Sequence, residues 1–131
     1  MNCEFILYEE VKLARGDDIE ERLINFAVRI IKLGTQLPNT EAGKHVSGQL
    51  LRSGTSPAAH YAEARGAESS RDFVHKLRIC LKELNEARVW LRITSKSELL
   101  PESRLRDITN ENDELCRIIN ASIKTTRAKQ K

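Results

Sequence analysis

Aromatic side chains are scarce in this chain, at 5% of its 131 residues, although hydrophobic residues as a whole make up 40% and charged ones 31%. A core poor in rings and supplied with Leu, Ile and Ala suits packed helices better than a β-sandwich, so the composition points to an all-α domain. No uninterrupted apolar run approaches the about 20 residues that a membrane-spanning helix requires. The opening MNCEFILYEE also lacks the basic start and long apolar middle of a secretion signal. A cytoplasmic protein with no membrane partner is the expectation. Cysteine is rare and odd in number: Cys3, Cys80 and Cys116 are widely separated, and two of them fall on apolar helical positions. They read as small hydrophobes in a reducing compartment, not as a disulfide framework. Strong net charge is absent too. A value of +3 does not by itself announce a nucleic-acid binder, so distribution matters more than the total. Residues 1–68 carry 8 basic and 10 acidic side chains, whereas residues 69–131 carry 14 and 9, which makes the second half the basic half.

What is present is helical periodicity. DDIEERLINFAVRIIKLGTQLP opens with Asp17 and Asp18 as candidate caps and sets Ile19, Leu23, Phe26, Ile30, Leu33 and Leu37 at alternating four and three spacings, ending before Pro38. A second segment over about 41–68 carries Val46, Leu50, Ser53, Pro57, His60 or Tyr61, Ala64 and Ala67 on its inner stripe. A third begins at Ser69 or Ser70, with Asp72 completing a variant capping box, and has the seam Phe73, Leu77, Cys80, Leu84, Ala87 and Leu91. Pro101 opens the fourth, whose seam reads Leu105, Ile108, Asn112, Leu115, Ile119 and Ser122 or Ile123. Short connections force neighbours antiparallel, so the expected fold is an up-down-up-down four-helix bundle over residues 17–128. Residues 1–16 form an uncertain N-terminal arm that could fray, pair as a strand or extend the first helix, and residues 129–131 form a basic tail.

The stretch QLLRSGTSPAAHYAEA at 49–64 is where chemistry would be sought. It is no phosphate loop, because no lysine follows Gly54 and no strand leads in. Ser56 one turn from His60, or Ser53 two turns from it, with Glu63 or Glu83 behind the imidazole, has the right residue types for a hydrolase but no nucleophile elbow or oxyanion hole. A di-metal bundle site needs Glu-x-x-His twice; here His60-x-x-Glu63 occurs once and reversed. The favoured reading is mechanical: Pro57 bends the second helix, and small residues around it allow close packing. No catalytic residue, cofactor, metal or small-molecule substrate is expected.

Gln49-Leu50-Leu51-Arg52-Ser53-Gly54-Thr55-Ser56, Tyr61-Ala62-Glu63-Ala64, Ser70-Arg71-Asp72-Phe73-Val74-His75-Lys76-Leu77, Leu81-Lys82-Glu83-Leu84-Asn85-Glu86 and Trp90-Leu91-Arg92 together resemble the bacterial four-helix-bundle family encoded in intervening sequences of 23S ribosomal RNA genes. The resemblance covers about residues 22–127. It implies a four-helix protomer, commonly a ring-shaped homopentamer, without known catalytic activity. It also implies kinship with the accessory variability determinant of diversity-generating retroelements, which binds a reverse transcriptase and nucleic acid. His60 departs from the asparagine usual at its position.

Two sets of side chains are candidates for function. Projection of the third helix places Arg71, His75, Arg78, Lys82 and Lys96 in one sector opposite the apolar seam, with Arg92 at its flank, and Arg117, Lys124 and Arg127 add positive charge later in the chain. These nine are the candidate nucleic-acid contacts, against the plain alternative of a solvated outer face. Arg52, His60, Glu63, Glu83 and Asn112 form a candidate structural polar network, Asn112 as a register determinant. The expected partners are further copies of the chain and RNA or an RNA-associated protein. The alternative is a purely structural or protein-interaction module of a mobile-element or toxin-like system.

Overall fold

The structure, a computed structural model, describes the backbone of residues 3–130 and the side chains of residues 15–130. Four helices follow one another: α1 (Cys3–Gly34), α2 (Glu41–Arg65), α3 (Ser70–Lys96) and α4 (Glu102–Lys129), with no strand among the described residues. Consecutive helices pack as antiparallel neighbours; α2 and α3 share the most extensive contact, and α1 and α4 the least. The chain is an all-α four-helix bundle, as the four seams require.

The start of α1 corrects the sequence reading. Asp17 and Asp18 do not cap a helix; they lie inside one, and Asp17 Oδ1 instead receives Arg65 Nη2 at 2.8 Å. The reason is propensity: after the β-prone CEFILY comes EEVKLAR, rich in good helix formers and free of proline, and strand preference without a partner strand has nothing to act on. Of the three fates open to residues 3–16, extension of the first helix is the one observed.

The other ends follow local rules. Thr40 caps α2 by accepting from Gly43 N at 3.1 Å, and Ser69 caps α3 by accepting from Asp72 N at 3.0 Å. Pro101 stands just outside α4 as its N-cap, and α2 stops at Arg65, so Ala67 falls in the connection and not on the stripe. The α3–α4 turn closes with Glu98 N to Ser95 O and Leu99 N to Thr94 O, which holds Glu98 at a φ of 59°, a left-handed position that usually selects glycine. α2 runs unbroken through Pro57. The hydroxyls before it donate to carbonyls one turn earlier, Ser53 to Gln49 O, Thr55 to Leu51 O and Ser56 to Arg52 O, so they do not serve the Ser53 carbonyl that Pro57 leaves without its amide donor.

The core is mainly aliphatic, with Phe26 and Tyr61 as its buried rings, and includes Leu23, Ile30, Leu50, Leu77, Leu84, Leu91, Leu105, Leu115 and Ile119. Each such side chain contributes about 1.5–3 kcal/mol of transfer free energy. Where the sequence left a choice, Tyr61 and Ile123 are buried while His60 and Ser122 are half-exposed; on α3, Val74 is more deeply buried than Phe73, and Thr94 extends the seam. Two glycines are required by close approach. A Cβ on Gly54 would sit 2.6 Å from Ile30 Cγ1, and one on Gly43 would sit 2.0 Å from the Pro38 carbonyl oxygen.

Candidate nucleic-acid interface

Arg71, His75, Arg78 and Lys82 recur every three or four residues on α3, so the helix that buries Leu77, Cys80 and Leu84 must turn them to solvent. All four are exposed. Arg92 and Lys96 are exposed too, but the stripe is not continuous: between Lys82 and Lys96 the outer sector is occupied by Asn85, Val89 and Ile93, and Val89 and Ile93 are 52% and 39% exposed. At 1.5 Å per residue, Arg92 lies about 15 Å beyond Lys82. The sequence-derived stripe is therefore two basic ends separated by an aliphatic middle.

The packing of α4 enlarges one of those ends. Asn112 Nδ2 donates to Leu84 O at 3.1 Å, Arg88 Nε meets Asp113 Oδ1 at 2.9 Å and Cys116 Sγ lies 3.6 Å from Asn85 Oδ1, which fixes the antiparallel register. Continuing from Cys116, α4 passes backward along the first three turns of α3. Helical periodicity keeps Arg117, Lys124 and Arg127 on the flank of α4 that Asp113 turns toward α3. All three are exposed. Several nearby carboxylates are engaged elsewhere, Glu83 with Arg52 at 2.9 Å, Asp113 with Arg88, and Glu111 and Glu114 with Arg22 at 2.6 and 3.3 Å; Asp72, next to Arg71 in the chain, is not among them. Among the described residues, no ion pair holds any of Arg71, Arg78, Lys82, Arg117, Lys124 and Arg127. The result is two adjoining rows of cations where the start of α3 meets the end of α4.

The polar network divides into separate parts. Arg52 binds Glu83 and also Glu86, and Glu86 accepts from Trp90 Nε1 at 3.3 Å, while the Trp90 ring stands edge-on to His45 with centroids 5.6 Å apart. His60 and Glu63 are elsewhere: His60 Nδ1 is 3.8 Å from Glu63 Oε2, which also lies 3.9 Å from Lys76 Nζ. Asn112 is fully buried on α4, bonded to Leu84 O and approached by Cys116 Sγ at 3.7 Å. One network of five is thus corrected to three, because Arg52 and Glu63 stand three turns apart on α2 and Asn112 belongs to the α3–α4 contact. Glu86, Trp90 and His45 were missed as its members; the available signal was that Glu86 sits one turn from both Glu83 and Trp90.

The sequence model for 23S rRNA-intervening sequence proteins matches residues 17–121. The chain belongs to that family. A solved structure of a protein of unknown function from the S23 ribosomal protein family of Bacteroides thetaiotaomicron is 37% identical, covers 81% of this chain and 98% of its own, and superimposes with a TM-score of 0.77. No curated protein matches. The family match leaves out residues 3–16 of α1 and, at the other end, Lys124 and Arg127, so part of the basic face lies beyond the segment that defines an intervening-sequence protein.

His60 shares α2 with two serines whose hydroxyls turn to the backbone. Ser53 and Ser56 hydroxyls are committed to backbone carbonyls, and Ser53 is fully buried, so neither is poised on the imidazole. Among the described residues no group of three or more His, Cys, Asp or Glu side chains converges to hold a metal ion, and no helix is long and apolar enough to cross a membrane. Burial pushes the Cys80 thiol up to about 12 and the Cys116 thiol up to about 11, so both stay protonated at neutral pH; the side chain of Cys3 lies outside the described residues. The two best-formed clefts are shallow and off the basic face, one at the α1–α2 turn beside Lys44 and Ser47, the other between Arg92 and Arg106.

A feature absent from the sequence reading is an exposed aliphatic strip. Ile24, Val28 and Ile31, spaced by four and three on α1, are 41%, 41% and 49% exposed, and Leu51 of α2 is 48% exposed. The approach of Ile30 to Gly54 and of Gly34 to Ser47 sets the α1–α2 register that brings Ile31 level with Leu51.

Proposed function

We propose that this intervening-sequence protein is a non-enzymatic, self-assembling helical scaffold that binds RNA through the face built by α3 and α4. The observation that carries the reading is the pair of cation rows, Arg71, Arg78 and Lys82 beside Arg117, Lys124 and Arg127, with Glu83 and Asp113 neutralised by other partners. A solvated helix needs charge but not charge of one sign on two adjacent helices. The resemblance to the accessory variability determinants of diversity-generating retroelements supports the same reading, and reduced, buried thiols suit a cytoplasmic setting.

Assembly rests on the exposed aliphatics. The strip Ile24, Val28, Ile31 and Leu51 lies on α1 and α2, whereas Val89 and Ile93 lie on the outer side of α3. Two different apolar patches suit a head-to-tail contact, the kind that closes into rings such as the family's pentamer, and each added subunit repeats the basic face. Binding of a structured RNA across a salt series tests the function: affinity falls steeply with salt, and reversal of Arg71, Arg78 and Lys82 to Glu lowers it at least about tenfold. Normal RNA affinity in that triple variant puts the RNA site off this face; absence of RNA binding by the unaltered protein removes the RNA reading. It leaves the second one, a protein-interaction module, which the exposed aliphatic strip favours.

A further inference from the structure

We infer that the ligand of the α3–α4 face is the phosphate backbone of an RNA duplex, recognised by shape and charge and not by base sequence. This rests on the RNA-binding reading above and narrows it to one class of RNA.

Three observations carry it. First, no Phe, Tyr or Trp ring among the described residues is exposed on the face to stack against an unpaired base. Sequence-tolerant binding of single strands depends on exposed rings that stack on successive bases. Among the described aromatics Phe26 and Tyr61 are buried, Phe73 is packed against the core, and Trp90 is half-buried, edge-on to His45 and hydrogen-bonded to Glu86. Second, the two best-formed clefts lie away from the two rows, at the α1–α2 turn and at the far end of α3. Third, the cations are set in two rows on neighbouring rods. Along α3 the row from Arg71 to Lys82 spans about 16 Å, with its three cations about 10 and 6 Å apart along the axis. The second row, on α4, follows an axis about 8–10 Å away.

A rigid array of this kind gains most from a ligand whose phosphates are already fixed in two strands. A single strand presents half the charge per unit length and must be ordered as it binds, with no Phe, Tyr or Trp platform to offset that cost. In A-form RNA the base edges are withdrawn into a deep, narrow major groove, so contact to phosphate and 2′-hydroxyl across the surface is the mode open to side chains that form no probe of their own. With six cations in the two rows, the slope of log affinity against log salt has a ceiling of about −5.

The test uses the full-length protein, fluorescence anisotropy, and a labelled RNA duplex of about 16 base pairs in two unrelated sequences, beside each strand alone. The expected result is duplex binding about tenfold or more tighter than single-strand binding, indifferent to sequence, with a salt slope of about −3 to −5. Arg78→Gln on one row and Lys124→Gln on the other each reduce that slope by about 1, while Arg92→Gln with Lys96→Gln, at the far end of α3, leaves it unchanged. Circular dichroism of each variant shows that the helices persist. Single strands bound as tightly as the duplex, or a slope that responds to Arg92 and Lys96 and not to Arg78 and Lys124, overturn this inference while RNA binding itself stands. Failure of both duplex and single strand to bind removes the RNA reading beneath it.

Discussion

Asn112 is a polar side chain in a layer of leucines, and its amide nitrogen is satisfied by one acceptor, the carbonyl of Leu84. Its meaning was legible from the sequence in kind, as the odd member of an apolar seam, but not its partner, because that carbonyl belongs to another helix and carries no side-chain signature. Cys80 shows a different residue-scale effect. Fully buried and donating Sγ–H to Pro57 O at 3.4 Å, it keeps its proton to about pH 12 in the fold, whereas an exposed thiol loses it near pH 8.5. The raised folded-state value means that the contribution is intact below the unfolded pKa and is lost as pH rises toward 12, since the unfolded chain then binds fewer protons. Cys116 and Tyr61, both raised by burial, act in the same direction. Stability from urea unfolding is therefore expected to fall from about pH 9 upward, with a shallower decline in Cys80→Ala, and an equal slope in that variant would argue against Cys80 as a source.

The helices themselves were legible to different degrees. Periodicity located the seams because burial forces it, and cap chemistry located the start of α3, since Ser69 accepts from Asp72 N as its spacing implies. The start of α1 was not legible, because helix-forming residues run straight through Asp17 and Asp18 with no stop signal. Nor was the reason for Gly54. In the sequence it is one of several small residues near a proline; in the fold it is where Ile30 presses against α2. Gly54→Ala gains up to about 1 kcal/mol in helix propensity and meets an Ile30 side chain that must give way, at a typical overpacking cost of about 1–3 kcal/mol. A net loss of about 1–2 kcal/mol is expected by urea unfolding, and Gly54→Ala should cost nothing in an Ile30→Ala background, where both Cγ atoms in the way are gone. A more stable single variant would show that α1 and α2 have room between them.

At the scale of the molecule, function depended on what sequence projection of one helix cannot see. The basic stripe of α3 was foreseen, but its break at Val89 and Ile93 and its extension onto α4 follow from side-chain exposure and interhelical register. The strip Ile24, Val28, Ile31 and Leu51 was hidden because only knowledge of which flank of α1 faces α2 separates core from surface. If it is an interface, Val28→Glu with Ile31→Glu gives a smaller species by light scattering with helicity unchanged; assembly unaltered by both charges would place the contact elsewhere. The inner amide of Asn112 also reaches outward in effect. Sliding α4 by a single turn would strand that amide among hydrocarbon and, in the same motion, shift Arg117, Lys124 and Arg127 against Arg71, Arg78 and Lys82. The spacing of the outer charges is thus locked from within, by a hydrogen bond that no ligand touches.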